Sequence, residues 1–131
     1  SWSLSAVYFL DVNRGWAVGF NGQILRTTDG GRTWEQQPSP TQAWLTSVAF
    51  DKNRRGWIAA RNQLLSSEDE GATWKAVSVG DAVFLQQVLP VNGATWAVGN
   101  FSVLVSDGAT GEFTTLDINA RLGGNTGRSA G

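Results

Sequence analysis

The segment from Leu4 to Trp34 returns, changed but recognisable, from Leu45 to Trp74, and an internal repeat of that length restricts the fold more than any other feature of the chain. Leu4, Val7, Phe9, Gly15 and Trp16 recur 41 residues later as Leu45, Val48, Phe50, Gly56 and Trp57. Asp29, Gly31, Thr33 and Trp34 recur 40 residues later as Asp69, Gly71, Thr73 and Trp74. The one-residue difference falls in the turn Phe20-Asn21-Gly22-Gln23, where a change of length costs little. A third, weaker copy follows at a spacing of 39: Trp57, Leu65, Ser67 and Trp74 correspond to Trp96, Leu104, Ser106 and Phe113.

Each unit holds four short strand candidates, in the first copy about 4–10, 15–20, 23–28 and 33–37. Leu4–Phe9 is apolar with uneven polar interruption, which predicts a largely buried inner strand. Gln23–Thr28 is more mixed, and Gly22 and Asp29-Gly30-Gly31 punctuate the strands. Helical periodicity does not persist anywhere, so almost no helix is expected. A four-stranded antiparallel unit with two apolar faces cannot bury both alone, and such units stack as blades around an axis. The expectation is an all-β fold: a β-propeller segment over 1–117 with blades at about 4–37, 45–77 and 84–117, and a flexible Gly/Asn/Ser-rich tail at 118–131. Rings start at about four blades, so three make an incomplete ring or half of a six-bladed homodimer.

The turn between the third and fourth strands carries Ser/Thr-x-Asp-x-Gly-x-Thr-Trp. It is Thr27-Thr28-Asp29-Gly30-Gly31-Arg32-Thr33-Trp34 in the first copy and Ser67-Glu68-Asp69-Glu70-Gly71-Ala72-Thr73-Trp74 in the second. The aspartates can accept hydrogen bonds from turn amides. Gly31 and Gly71 permit backbone angles a side chain opposes, and Trp34 and Trp74 can cover the hairpin. All of these are structural roles. The spacing lacks the ligand series and terminal Glu of a calcium loop. In the third copy Gly108 stands at the Asp position, Thr110 at the Gly position and Phe113 at the Trp position, so the box chemistry is lost.

These paired motifs resemble Asp-box, or BNR, repeats. With GWAVGFNGQILRTTDGGRTW, GWIAARNQLLSSEDEGATW and TWAVGN around them, the chain resembles the photosystem II stability and assembly factor family (Ycf48/HCF136-like propellers) and related bacterial proteins over residues 4 to about 113. The resemblance implies a non-catalytic scaffold for protein recognition and assembly. It also implies an extracytoplasmic setting (thylakoid lumen, periplasm or secreted) and a propeller of more than three blades. No signal peptide is visible in the chain.

Composition narrows the chemistry further. The 131 residues include no Cys and no His, which removes disulfides, thiolate nucleophiles, imidazole bases and Cys- or His-based metal sites. No cofactor and no metal are expected. A net charge of −1 offers no broad attraction to nucleic acid, and no apolar run is long enough to span a bilayer as a helix. Glycoside hydrolysis needs only two acidic side chains, so a carbohydrate-binding, glycosidase or sialidase-type propeller is the enzyme alternative. Asp11, Asp51, Glu68, Glu70 and Asp81 are available for it, with no pair singled out. A self-assembling secreted structural module is a further alternative.

Arg14 and Arg55 occupy equivalent positions in the loop between strands one and two, with Arg54 adjacent. The topology puts these loops on the same end as the Asp boxes, where Arg32 adds charge. Together they form a candidate partner-binding patch, since guanidinium forks pair with carboxylates or phosphates. The plainer alternative is a solvated rim with ion pairs to Asp11 or Asp51. Arg61 belongs to the opposite end, where Asn21, Asn62 and Asn100 can line a polar groove or simply form turns. Trp2, Trp44 and Phe84 lie near first strands, as exposed platforms or as seam packing. The partner is expected to be a protein, or a second copy completing the ring.

Overall fold

A computed structural model describes residues 3–61, 63–77, 85–91, 93–99, 103–106 and 113–116. Twelve strands form three four-stranded antiparallel sheets, each a simple meander. The first holds β1 (Leu4–Phe9), β2 (Gly15–Gly19), β3 (Ile24–Thr27) and β4 (Glu35–Gln37). The second holds β5 (Leu45–Phe50), β6 (Gly56–Ala60), β7 (Leu64–Ser67) and β8 (Lys75–Val77). The third holds β9 (Leu85–Val91), β10 (Ala94–Gly99), β11 (Val103–Ser106) and β12 (Phe113–Leu116). A single 3-10 turn at Phe20–Gly22 is the only helical element among the described residues. These sheets are three blades of a β-propeller. The tail expected at 118–131, with Trp2, Asn62, Asp81, Phe84, Asn100 and the third box at 107–112, lies outside the described residues.

Register follows the repeat. Val7 pairs with Ala17 and Ala17 with Leu25, and in the second blade Val48 pairs with Ile58 and Ile58 with Leu65. β1 and β5 each carry a bulge at the same point, between Leu4 and Ala6 and between Leu45 and Ser47. First strands of successive blades lie side by side, β1 against β5 and β5 against β9, as innermost strands do.

The core is two seams between blades. In one, Trp16, Val18 and Ile24 of the first blade meet Leu45, Val48, Phe50, Ile58, Leu65 and Trp74 of the second. In the other, Trp57, Ala59 and Leu64 of the second blade meet Leu85, Val88, Ala97 and Leu104 of the third. The two seams use equivalent residues one repeat apart. Each large apolar side chain so buried contributes roughly 1.5–3 kcal/mol before entropy is counted, so seam packing, more than any single sheet, stabilises the chain.

The expected burial of β1 is corrected by this arrangement. Ala6 and Tyr8 pack onto the second blade, but Leu4 and Val7 are 48% and 58% exposed, on the face of the first sheet that they share with Ala17, Leu25 and Trp34. The sequence pattern is that of an inner strand, and its second face is bare.

Candidate protein-binding rim

The two Asp boxes have the same internal geometry. The Thr27 hydroxyl donates to Asp29 Oδ1 at 2.8 Å and accepts the Gly31 N–H at 2.9 Å. Asp29 then accepts the Thr33 N–H at 2.9 Å and the Thr33 hydroxyl at 2.6 Å. In the second box Ser67 donates to Asp69 at 2.7 Å and accepts from Gly71 at 2.8 Å, while Thr73 donates twice to Asp69, at 2.9 and 2.6 Å. Left-handed backbone at Gly31 (φ +96°) and Gly71 (φ +86°) makes the closure possible. Three donors per carboxylate hold both aspartates in the charged form, with the Thr33 and Thr73 hydroxyls the largest influence. Asp69 is lowered to about 2, and Asp29 is lowered further.

The box tryptophans differ. Trp34 is partly exposed and its indole donates to Gly31, inside its own box, at 3.0 Å. Trp74 is buried and its indole donates to Gln37 of the preceding blade at 3.3 Å. The Gly71 carbonyl instead accepts from two groups of the first blade, Trp16 Nε1 at 3.1 Å and Gln37 Nε2 at 2.9 Å.

The loops between first and second strands stand on the same end, tied to the boxes by the Gly30 N–H donating to the Asn13 carbonyl at 2.9 Å. Arg14 donates to Asp11 at 2.9 Å and, across the seam, to Glu70 at 2.7 Å. Arg54 reaches the same Glu70 oxygen at 3.6 Å. Glu70 therefore stays charged, chiefly through the Arg14 hydrogen bond, and Arg14 is held protonated chiefly by Glu70. Asp11 is lowered chiefly by the Arg14 backbone N–H. Arg55 does not ion-pair with Asp51. It lies over the Trp57 ring at 5.8 Å, while Asp51 accepts the backbone N–H groups of Asn53 and Arg55. Arg32 is exposed, and no carboxylate among the described residues pairs with it. Glu70 and Gln37 organise the rim, yet neither belongs to the repeat pattern: their counterparts are Gly30 and Val77.

Arg61 sits at the other end. Its guanidinium lies 4.4 Å over the Trp44 ring, which also stacks on Phe20 and donates to Ser5 at 2.6 Å. Trp44 is thus a seam residue. Asn21, with left-handed φ of 58°, forms the turn there. Among the described residues no cluster of acidic side chains is arranged to hold a metal ion, and no helix is long and apolar enough to cross a membrane.

Comparison with known proteins agrees with this geometry. The sequence model of "Photosynthesis system II assembly factor YCF48" matches residues 2–90. The photosystem II assembly lipoprotein Ycf48 of Synechococcus sp. (strain CC9902) is 37% identical over 73 residues, 52% of this chain and 22% of that protein. The photosystem II stability/assembly factor HCF136 of Arabidopsis thaliana is 30% identical over 86 residues, 56% of this chain and 21% of that protein. The chain thus spans about a fifth of the length of these relatives. A solved structure of Ycf48 bound to D1 peptide superposes with a TM-score of 0.75 at 22% identity, covering 86% of this chain and 40% of that one, and shares its fold. With two Asp boxes in register, three meander blades and a match across most of its length, the chain belongs to the Ycf48 family of photosystem II assembly factors.

Proposed function

We propose that this chain is a non-catalytic propeller segment that recognises a protein partner through its Asp-box end, in the service of photosystem II assembly in an extracytoplasmic compartment. The observation that carries the reading is the state of the rim arginines. Arg14 and Arg54 are neutralised by Asp11 and Glu70 and form a rigid base, while Arg32 and Arg55 have no carboxylate partner among the described residues. A planar guanidinium already oriented over an aromatic ring loses little freedom on meeting a carboxylate. The fitting partner is a peptide segment bearing carboxylates. The acidities of four rim carboxyl groups support a non-catalytic role for them. A glycosidase needs one carboxyl group held protonated near neutral pH, whereas Asp11, Asp29, Asp69 and Glu70 are all shifted the other way.

Since a relative is known bound to D1 peptide, a labelled D1 peptide is the probe, titrated with the chain by fluorescence anisotropy at low and high salt. Binding that weakens with salt, and by about tenfold or more in Arg32→Glu/Arg55→Glu, is the expected result. Binding indifferent to both arginines rejects the rim, and absence of binding rejects this partner.

A further inference from the structure

We infer that Arg14 and Arg54 form a carboxylate-binding site on the seam between the first and second blades, and that the chain fills this site with its own Glu70. Glu70 thereby decides which rim arginines a partner can use. The site itself stands on the seam geometry, while its effect on recognition rests on the rim reading above. Arg14 comes from the first blade and Arg54 from the second, and the Nη1 atoms of both converge on Glu70 Oε1, at 2.7 and 3.6 Å. A carboxylate from another molecule would meet the same pair of donors. Asp11 separately accepts the Arg14 Nε–H at 2.9 Å, so the guanidinium keeps its orientation without Glu70. The side chains of Arg14, Arg54 and Glu70 are 25%, 54% and 45% exposed, which leaves the site open to a solute.

Backbone strain marks the same residues. Among the described residues the non-glycine positions with left-handed backbone are Asn21, Arg54 and Glu70, with φ of 58°, 64° and 59°. Asn tolerates that region, whereas Arg and Glu enter it at a cost. The two costly residues are the ones whose side chains meet at this site, and strain of this kind persists where a local arrangement requires it. Closure of the Asp box does not require it, because none of the hydrogen bonds of the second box uses the Glu70 side chain. The corresponding places in the other two copies hold Gly30 and Ala109. Arg55, the counterpart of Arg14, therefore has Ala109 where Arg14 has Glu70, and Arg55 has no carboxylate partner among the described residues. Charge gives the consequence. Arg14 and Arg54 are balanced by Asp11 and Glu70, so a further carboxylate brought to the seam meets no net attraction and is repelled by Glu70. Without Glu70 the same groups carry one net positive charge around a fork already in place. Glu70 is thus a specificity-determining residue: the rim takes carboxylates at Arg32 and Arg55 and turns away one aimed at the seam.

Chemical rescue tests the site. Glu70→Gly restores the residue that the first blade has at this place and relieves the left-handed strain, so it is expected to keep the wild-type circular dichroism. Propionate matches the Glu side chain that the variant lacks. Sodium propionate should raise the thermal unfolding midpoint of Glu70→Gly by roughly 2–5 °C over sodium chloride at equal ionic strength. Against the same control it should leave the wild type unmoved, and it should lose its effect in Glu70→Gly/Arg14→Ala. In the anisotropy titration Glu70→Gly should bind the labelled D1 peptide about three- to tenfold more tightly than the wild type. No propionate effect on Glu70→Gly, an equal effect on the wild type, or an effect that survives the loss of Arg14 overturns the seam site. Rescue by propionate with peptide affinity unchanged overturns the specificity role. Rescue with no peptide bound by any variant supports the seam site and rejects the rim reading.

Discussion

The indole N–H of Trp16 donates to the carbonyl of Gly71 at 3.1 Å, so the first blade reads the backbone of the second blade's Asp box across 55 residues of sequence. The ring lies so close that a Cβ on Gly71 would overlap it, and φ at Gly71 is +86°. Gly31 has the same left-handed backbone, but a Cβ there would meet Trp34 and Phe9 only at 3.7 and 3.8 Å, ordinary contact. Gly71→Ala should therefore cost roughly 2–4 kcal/mol, strain plus overlap. Gly31→Ala should cost roughly 1–2 kcal/mol, strain alone. Guanidinium unfolding followed by Trp fluorescence measures both. Equal costs would mean that the Trp16 contact carries no energetic weight.

Substitutions of Trp16 separate the ring from its hydrogen bond. Trp16 is fully buried, so Trp16→Ala should cost roughly 3–5 kcal/mol through the cavity it leaves. In Trp16→Phe most of the ring remains, and the Gly71 carbonyl keeps its bond from Gln37 at 2.9 Å. That variant should lose about 1–2 kcal/mol, since no buried acceptor is orphaned. A Phe variant as damaged as the Ala variant would show that the indole N–H, not the ring, holds the seam.

The Asp boxes predict the acid limit of stability. Asp69 has a carboxyl lowered from 3.8 to about 2 by the Thr73 hydroxyl, the Thr73 N–H and the Ser67 hydroxyl, and Asp29 is lowered in the same sense. As pH falls below the ordinary value the unfolded chain takes up protons that the folded chain refuses, so stability falls with pH. The contribution is fully present above about pH 4 and is lost on descending through about pH 2. Asp69→Asn should be less stable at neutral pH and show a shallower decline between these limits. A mutant whose stability follows the parental acid curve would show that the box carboxylate is not what titrates.

The repeat made the fold legible because strand register and seam faces depend on local spacing. Strands expected at 15–20 and 23–28 are found at Gly15–Gly19 and Ile24–Thr27, and the Asp-box geometry follows from residues within six positions of one another. What depends on one blade meeting another was not legible. Leu4–Phe9 has the pattern of a buried strand, yet its outer face is bare, because burial requires a neighbour that its own sequence does not encode. In the sequence Glu70 is one carboxylate among several, and nothing in the local pattern distinguishes Gln37 from its neighbour Gln36. Their partners, Arg14 and Gly71, lie 56 and 34 residues away, and Glu70 and Gln37 are not themselves repeat positions.

The ion pair between Arg14 and Glu70 should behave as a surface clamp. Its side chains are 25% and 45% exposed, so solvent and salt reach the 2.7 Å contact. Glu70 also has left-handed backbone, φ 59°, where its counterpart in the first blade is glycine. Glu70→Gly would relieve that strain while removing the charge and would blur the measurement. Glu70→Ala keeps a Cβ in the same conformation, so a double-mutant cycle of Arg14→Ala with Glu70→Ala isolates the side-chain pair. Favourable coupling at low ionic strength should shrink as salt approaches about 1 M, where the Debye length falls to about 3 Å. Over the same range the cost of Trp16→Phe should hold steady, because that bond is buried and joins uncharged groups. Coupling that survives high salt undiminished would assign the clamp to packing of the Arg14 stem, and the charge at Glu70 would then have no part in joining the blades.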